Sequence, residues 1–278
     1  MRWRGLAVPV AVLLVVLIGG FYSLRIFAIS AAEKKFMLVH RNGTMTPAQF
    51  GAAWTPFTID SDGRTLQASL VMAQPSCTRP VAVLLFHGRD ESLSDWAKAQ
   101  AFPSRECVSS VMFDYSGNGD STGPATMANL NADGIAAWRA FMRKFPTGRR
   151  CVLAHSMGNA VMLNDLRVFA PLPDCAVDAN AFSSVEDFVR YSGAPSAFAL
   201  LLHGVWDNTQ AIKAVKVPLL VIHSDADQTI PAFMSTRIAE AAPAGAKRVT
   251  LHGFSYDALY EDPSLASWTP VLAFLRGK

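Results

Sequence analysis

The chain has 278 residues, of which 51% are hydrophobic and 17% charged, with a formal net charge of +3. That balance excludes a disordered chain, and the length allows one large α/β domain or two small ones with a full core. Arg2, Arg4 and Arg25 fall within the first 32 residues, which hold no acid, so residues 33–278 keep 22 basic against 22 acidic side chains and offer nothing for nucleic acid or another polyanion.

From Gly5 to Leu24 no residue is charged. Twenty helical residues span about 30 Å, the thickness of a bilayer's hydrocarbon core, whereas a cleaved signal peptide has an apolar run of about 7–15 residues. Residues 1–32 therefore read as an uncleaved membrane anchor, with a signal peptide cleaved near Ala28-Ile29-Ser30 as the alternative. Arg2 and Arg4 precede the apolar run while Arg25, Lys34 and Lys35 follow it, which leaves orientation open. Residues 33–55 form a linker into the folded part.

Phe57–Asp60 and Thr65–Met72 alternate as strands around Ser61-Asp62-Gly63-Arg64, a hairpin with an Asp-Gly turn. The pattern then changes to buried strands separated by helical stretches. Val81–Phe86, Val108–Phe113, Val152–Ala154, Ala176–Phe182, Pro218–Ile222 and Arg248–Leu251 are the strands, and Ala132–Phe145 repeats its apolar residues at helical spacing. Continuous apolar strands alternating with helices imply a mostly parallel sheet covered on both faces.

The loops after these strands carry the chemistry. His87-Gly88-Arg89-Asp90 follows the first buried strand; its glycine lets the Arg89 N–H turn inward as an oxyanion donor. Asp114–Gly123, after the second, is rich in glycine but lacks both a P-loop lysine and the dinucleotide spacing, so it reads as a structural loop. Then comes Ala154-His-Ser156-Met-Gly158, a nucleophile elbow in which small residues flank a serine on a tight strand-to-helix turn. The Met157 N–H is the second expected oxyanion donor. Ser183–Lys216 is longer than a crossover needs and carries Phe188, Tyr191, Phe198 and Trp206, which suggests a small helical cap above the serine. The fifth buried strand leads to His223-Ser-Asp225-Ala-Asp227, where Asp227 is the expected base-orienting acid and Asp225 the alternative.

In this order and spacing the motifs from about Phe57 onward resemble the α/β hydrolases with a small cap, the group of serine aminopeptidase-like and acyl-hydrolase-like enzymes. The resemblance implies an α/β-hydrolase fold over residues 33–278, with 183–216 as cap, and a sheet whose first buried strand lies between the second and third. In that order Cys77 neighbours Cys107 and Cys151 neighbours Cys175, which suggests two disulfides and an oxidising, extracytoplasmic compartment, with four buried free thiols as the alternative. The resemblance also implies a serine hydrolase of esters, thioesters or amides acting on a small-molecule or peptide substrate; no metal or organic cofactor is expected, as the histidines do not cluster at ligand spacing.

The resemblance further implies a histidine in a Gly-x-x-His-Asp segment after the last strand. Here the segment reads Gly253-Phe-Ser-Tyr256-Asp257, and a phenol with a pKa of about 10 is a poor base near neutrality. His252, four residues early, is the expected base if the loop is rearranged. His203 and His155 are weaker candidates, and the competing reading is a catalytically silent relative that binds a ligand.

Overall fold

The computed structural model describes residues 4–36 and 43–278; Arg2 and part of the expected 33–55 linker lie outside them. Helix α1 (Arg4–Phe36) contains a stretch, 11–35, long and apolar enough to cross a membrane by length and composition. Its last turns dock on the domain. Ala28 and Ala32 are buried, Arg25 donates to the carbonyls of Leu201 and His203, and Glu33 accepts from the Met127 N–H.

Strands β1 (Ala53–Ser61) and β2 (Arg64–Met72) form the expected hairpin. Asp62 and Gly63 at its tip have φ of 51° and 79°, the pair of left-handed residues that a two-residue turn matched to strand twist requires. Six strands follow: β3 (Val81–Phe86), β4 (Val108–Phe113), β5 (Arg150–His155), β6 (Cys175–Ala179), β7 (Leu219–Ser224) and β8 (Lys247–Leu251). The eight-stranded sheet runs β1-β2-β4-β3-β5-β6-β7-β8 and is parallel from β4 to β8, so the first buried strand does lie between the second and third. Successive residues of β5 serve the two faces. Val152 and Ala154 join one core with helix α3 (Met127–Lys144), while Cys151 and Leu153 join the other with helix α9 (Leu265–Leu275). Helix α3 begins five residues before the apolar repeat because Thr126 caps it, its side chain accepting the Asn129 N–H.

The four cysteines pair as the strand order requires, Cys77 with Cys107 and Cys151 with Cys175. Cys151 and Cys175 are register partners on adjacent parallel strands. Strand β6 stops at Ala179, three residues short of the expected end, where Asn180 (φ 48°) turns the chain away. Beyond it, helices α5 (Val185–Tyr191), α6 (Ser196–Leu201) and α7 (Asn208–Lys213) occupy the 183–216 segment.

Candidate active site

Ser156 sits between β5 and helix α4 (Met157–Asp165) at φ 51° and ψ −118°, a conformation that a non-glycine residue holds only when its surroundings enforce it. Those surroundings are specific. The Ser156 N–H bonds the Ala179 carbonyl at 3.0 Å, and the Asn159 amide spans the carbonyls of Ala179 and Ser156 at 2.8 and 3.2 Å. Behind the turn, α4 presses against the end of β3. A Cβ on Gly158 would lie 2.4 Å from the Phe86 carbonyl oxygen, so only glycine fits there. The alanine that replaces the other expected glycine, Ala154, is wholly buried in the sheet and tolerated.

The serine faces a cavity of about 320 Å³, at the lower end of the usual range for small-molecule sites. Arg89 and Met157 line it beside Ser156, as do Glu91 and Tyr260. Phe182, Phe188, Trp206 and Ile230 supply an apolar side. Met157 is the first residue of α4, so its N–H points out of the helix N-terminus beside the serine.

Tyr256 lines the same cavity beside Ser156, whose side chain acts to lower the phenol's pKa. Burial, then the nearby Glu91 carboxylate, push that phenol well above its ordinary pKa, so it is neutral at any physiological pH. The loop carrying it is clamped by its backbone. The Tyr256 carbonyl accepts from Asn180 Nδ2 at 2.8 Å and from His155 Nε2 at 3.0 Å. His155 in turn meets Glu91 through Nδ1 at 2.8 Å, and the other Glu91 oxygen accepts from the Gly88 N–H and the Trp96 indole. Burial opposes charge on both partners, yet their mutual attraction and hydrogen bonding outweigh it. Glu91 is held below, and His155 above, its ordinary pKa. With a carbonyl facing one nitrogen and a carboxylate the other, the surroundings of His155 favour the protonated ring.

The expected site residues divide. Ser156, Arg89 and Met157 meet at the cavity. Asp227 lies close enough to Tyr256 to raise its pKa. One of its oxygens accepts the N–H groups of Thr229 and Ile230 at 2.7 and 2.8 Å; the other, Oδ2, is buried with no hydrogen-bond partner among the described residues. Burial raises the Asp227 pKa against those two bonds.

His252 is not brought to the serine. Its side chain is 82% exposed and bonds Asp225 Oδ2 through Nδ1 at 2.8 Å, while Asp225 Oδ1 accepts the Gly253 N–H at 2.7 Å. That carboxylate closes a turn through Gly253 (φ 77°) and holds the imidazole outward, so the loop that would have to rearrange is instead fastened. Asp225, the alternative acid, is spent on this turn. His203 is also outside the cavity, exposed and paired with Glu186. Among the described residues no histidine lines the cavity, and no group of three or more His, Cys, Asp or Glu residues comes together to hold a metal.

Sequence reasoning missed Glu91 and the clamp around Tyr256. His155 was visible as the serine's neighbour, but nothing in the chain signals that it reaches a glutamate 64 positions away. Phe182, expected as the end of a strand, and Tyr260 also line the cavity.

The alpha/beta hydrolase family model matches residues 82–203, which include β3, the elbow and α5. An uncharacterised protein of Mycobacterium tuberculosis is 30% identical over 173 residues, covering 61% of this chain and 59% of its own length. The chain thus spans less than two thirds of that curated relative. Among solved structures, an alpha-beta hydrolase from Vibrio vulnificus superposes with a TM-score of 0.72 at 12% identity, covering 90% of this chain and 92% of its own. The Pyrococcus furiosus esterase Pf2001 gives 0.65 at 16%, covering 87% and 98%. At these identities the structural likeness is one of fold.

Proposed function

The chain is an α/β hydrolase by fold, and on that premise we propose that it is a serine-dependent ester hydrolase of low intrinsic turnover, tethered to a membrane by α1 with its domain on the extracytoplasmic side. Hydrolase activity in general is supported by the fold and its esterase neighbours. The observation that carries the finer reading is Ser156, held on a strained elbow at a largely apolar cavity that the neutral Tyr256 phenol also lines. The two disulfides and the apolar helix support the location.

Ser156 Oγ attacks the ester carbonyl carbon, and the developing oxyanion is received by the N–H groups of Arg89 and Met157. Tyr256 relays the proton without ionising: its oxygen accepts the Oγ proton while its own O–H is given to the departing alkoxide, so the alcohol leaves and the phenol is regenerated. Water then cleaves the acyl-serine by the same relay in reverse. A neutral phenol is a weak proton acceptor, and one held above its ordinary pKa is also a reluctant donor, hence the low turnover. Residues 183–216 act as the cap over the acyl group.

A fluorophosphonate probe tests this. It labels the wild type slowly and does not label Ser156→Ala; Tyr256→Phe, which lacks the relay, loses about tenfold or more of both labelling and ester turnover. A second reading, a silent relative that binds its ligand unchanged, is favoured by Tyr256 occupying the place of the base. Absence of labelling and turnover in the wild type would establish it.

A further inference from the structure

A second cavity, of about 200 Å³, lies between the last turns of α1 and the helices α5 and α6. Ala31, Ala32 and Lys35 form one wall, while Val189 and Phe198 form much of the other. It is not independent of the first. Arg89 and Phe188 line both, so one cation and one ring stand between the space beside α1 and the space above Ser156. The Phe182 ring stands edge-on to Phe188 at 6.4 Å and lines the serine cavity, which continues the apolar track inward.

We infer that these two cavities are one substrate path, and that the substrate is a single-chain acyl amphiphile taken sideways from the membrane rather than from bulk water. This rests on the ester-hydrolase reading for its chemistry, but the path itself is a matter of binding.

Three features fix the direction. The outer cavity is walled by the very helix whose preceding exposed residues, Val12 to Leu24, are almost all apolar, so its opening lies where that helix leaves the hydrocarbon. The docking of α1 is specific, through buried Ala28 and Ala32 and the Arg25 and Glu33 hydrogen bonds, and small side chains at 28, 31 and 32 leave room beside α6. Finally, Lys35 at the outer end and Arg89 at the junction are the charged side chains lining an outer cavity that is apolar but for Ser192, placed to hold polar or anionic headgroup oxygens while the chain runs along Phe198, Phe188 and Phe182; the carboxylates of Asp90, Glu91 and Asp257 line the inner cavity. Arg89 is paired with Asp90 at 2.7 Å, so passage requires that exposed pair, worth little in water, to swing aside.

The test uses the full chain in phosphatidylcholine vesicles with a monoalkyl glycerol ether carrying a terminal diazirine, a probe that cannot be hydrolysed. Photolysis and peptide mapping should place label on 188–198 and on Ala31 or Ala32, and Ser192→Trp, at the rim of the outer cavity, should reduce that label at least fivefold. Label confined to the exposed face of α1, or unchanged in Ser192→Trp, overturns the path. In parallel, Ser192→Trp should lower the ratio of turnover on a vesicle-embedded monoacyl ester to that on a water-soluble butyrate ester about tenfold; an unchanged ratio also overturns it. Loss of all turnover with the crosslinking pattern intact would sink the hydrolase reading and leave the path standing.

Discussion

Replacing Tyr256 by histidine should convert the slow site into a fast one. The backbone at 256 is held by bonds from Asn180 and His155 to its carbonyl, neither of which involves the phenol, so the new side chain starts from the same place. Asp227 Oδ2, buried and without a partner, is available to accept an imidazole N–H and set its tautomer. A positioned base contributes about 10²–10⁴ in rate, roughly 2.7–5.4 kcal/mol at 1.36 kcal/mol per tenfold. Losing the phenol ring beside His155, whose centroid is 4.5 Å away, costs stability on the order of 1 kcal/mol. Labelling rate with a fluorophosphonate and turnover of a butyrate ester should therefore both rise about 10²–10⁴ in Tyr256→His. Because an unoriented imidazole forfeits most of its effect, Tyr256→His combined with Asp227→Asn should return close to the parent rate. A Tyr256→His protein with an unaltered near-ultraviolet circular dichroism spectrum and no faster labelling would refute the assignment of both residues.

The Cys151–Cys175 bridge closes a separation of 24 residues, for which chain entropy gives about 3.5 kcal/mol, so Cys151→Ser with Cys175→Ser should lower the thermal midpoint by roughly 7–14 °C; a calorimetric shift under 2 °C would contradict it. In Gly158→Ala the new methyl meets the backbone oxygen of Phe86, which cannot swing aside, so α4 and Ser156 must move; a loss of about 1–3 kcal/mol in denaturant melts and about a hundredfold in labelling rate is expected. Asp178, fully buried on β6 with neither oxygen hydrogen-bonded among the described residues, has its carboxyl pushed up to about 7 by burial. The native state then holds a proton that the unfolded state releases above about pH 4, so stability declines as pH rises from there to about 7. Asp178→Asn should accordingly be more stable than wild type at pH 8, by about 1 kcal/mol or more, and near parity at pH 4; a gain equal at both values would reject the linkage.

The sequence alone determined the strands, the hairpin and the elbow, because each rests on short-range physics. Val81–Phe86 is wholly apolar since a central parallel strand is buried on both faces, and Asp62-Gly63 can turn because both adopt positive φ. Ser156 stood out because its neighbours must be small, and Gly158 meets that demand against β3. The disulfides were legible only through the strand order, since the cysteines of each pair are brought together by adjacent strand starts rather than by spacing.

What the tertiary structure decided is which distant groups meet. His252 and Tyr256 are four residues apart on one loop, and no local rule says which of them faces the serine. The answer came from Asp225, which fastens His252 outward, and from His155, Glu91 and Asn180, which hold the Tyr256 carbonyl inward. In the same way, composition marked α1 as a long apolar helix, but only the packing of its last turns beside α6 made it a wall of the second cavity. Burial patterns are written residue by residue along the chain; hydrogen-bond geometry between segments far apart in sequence is a property of the folded molecule, and in this protein that geometry puts Tyr256, not His252, in the cavity with Ser156.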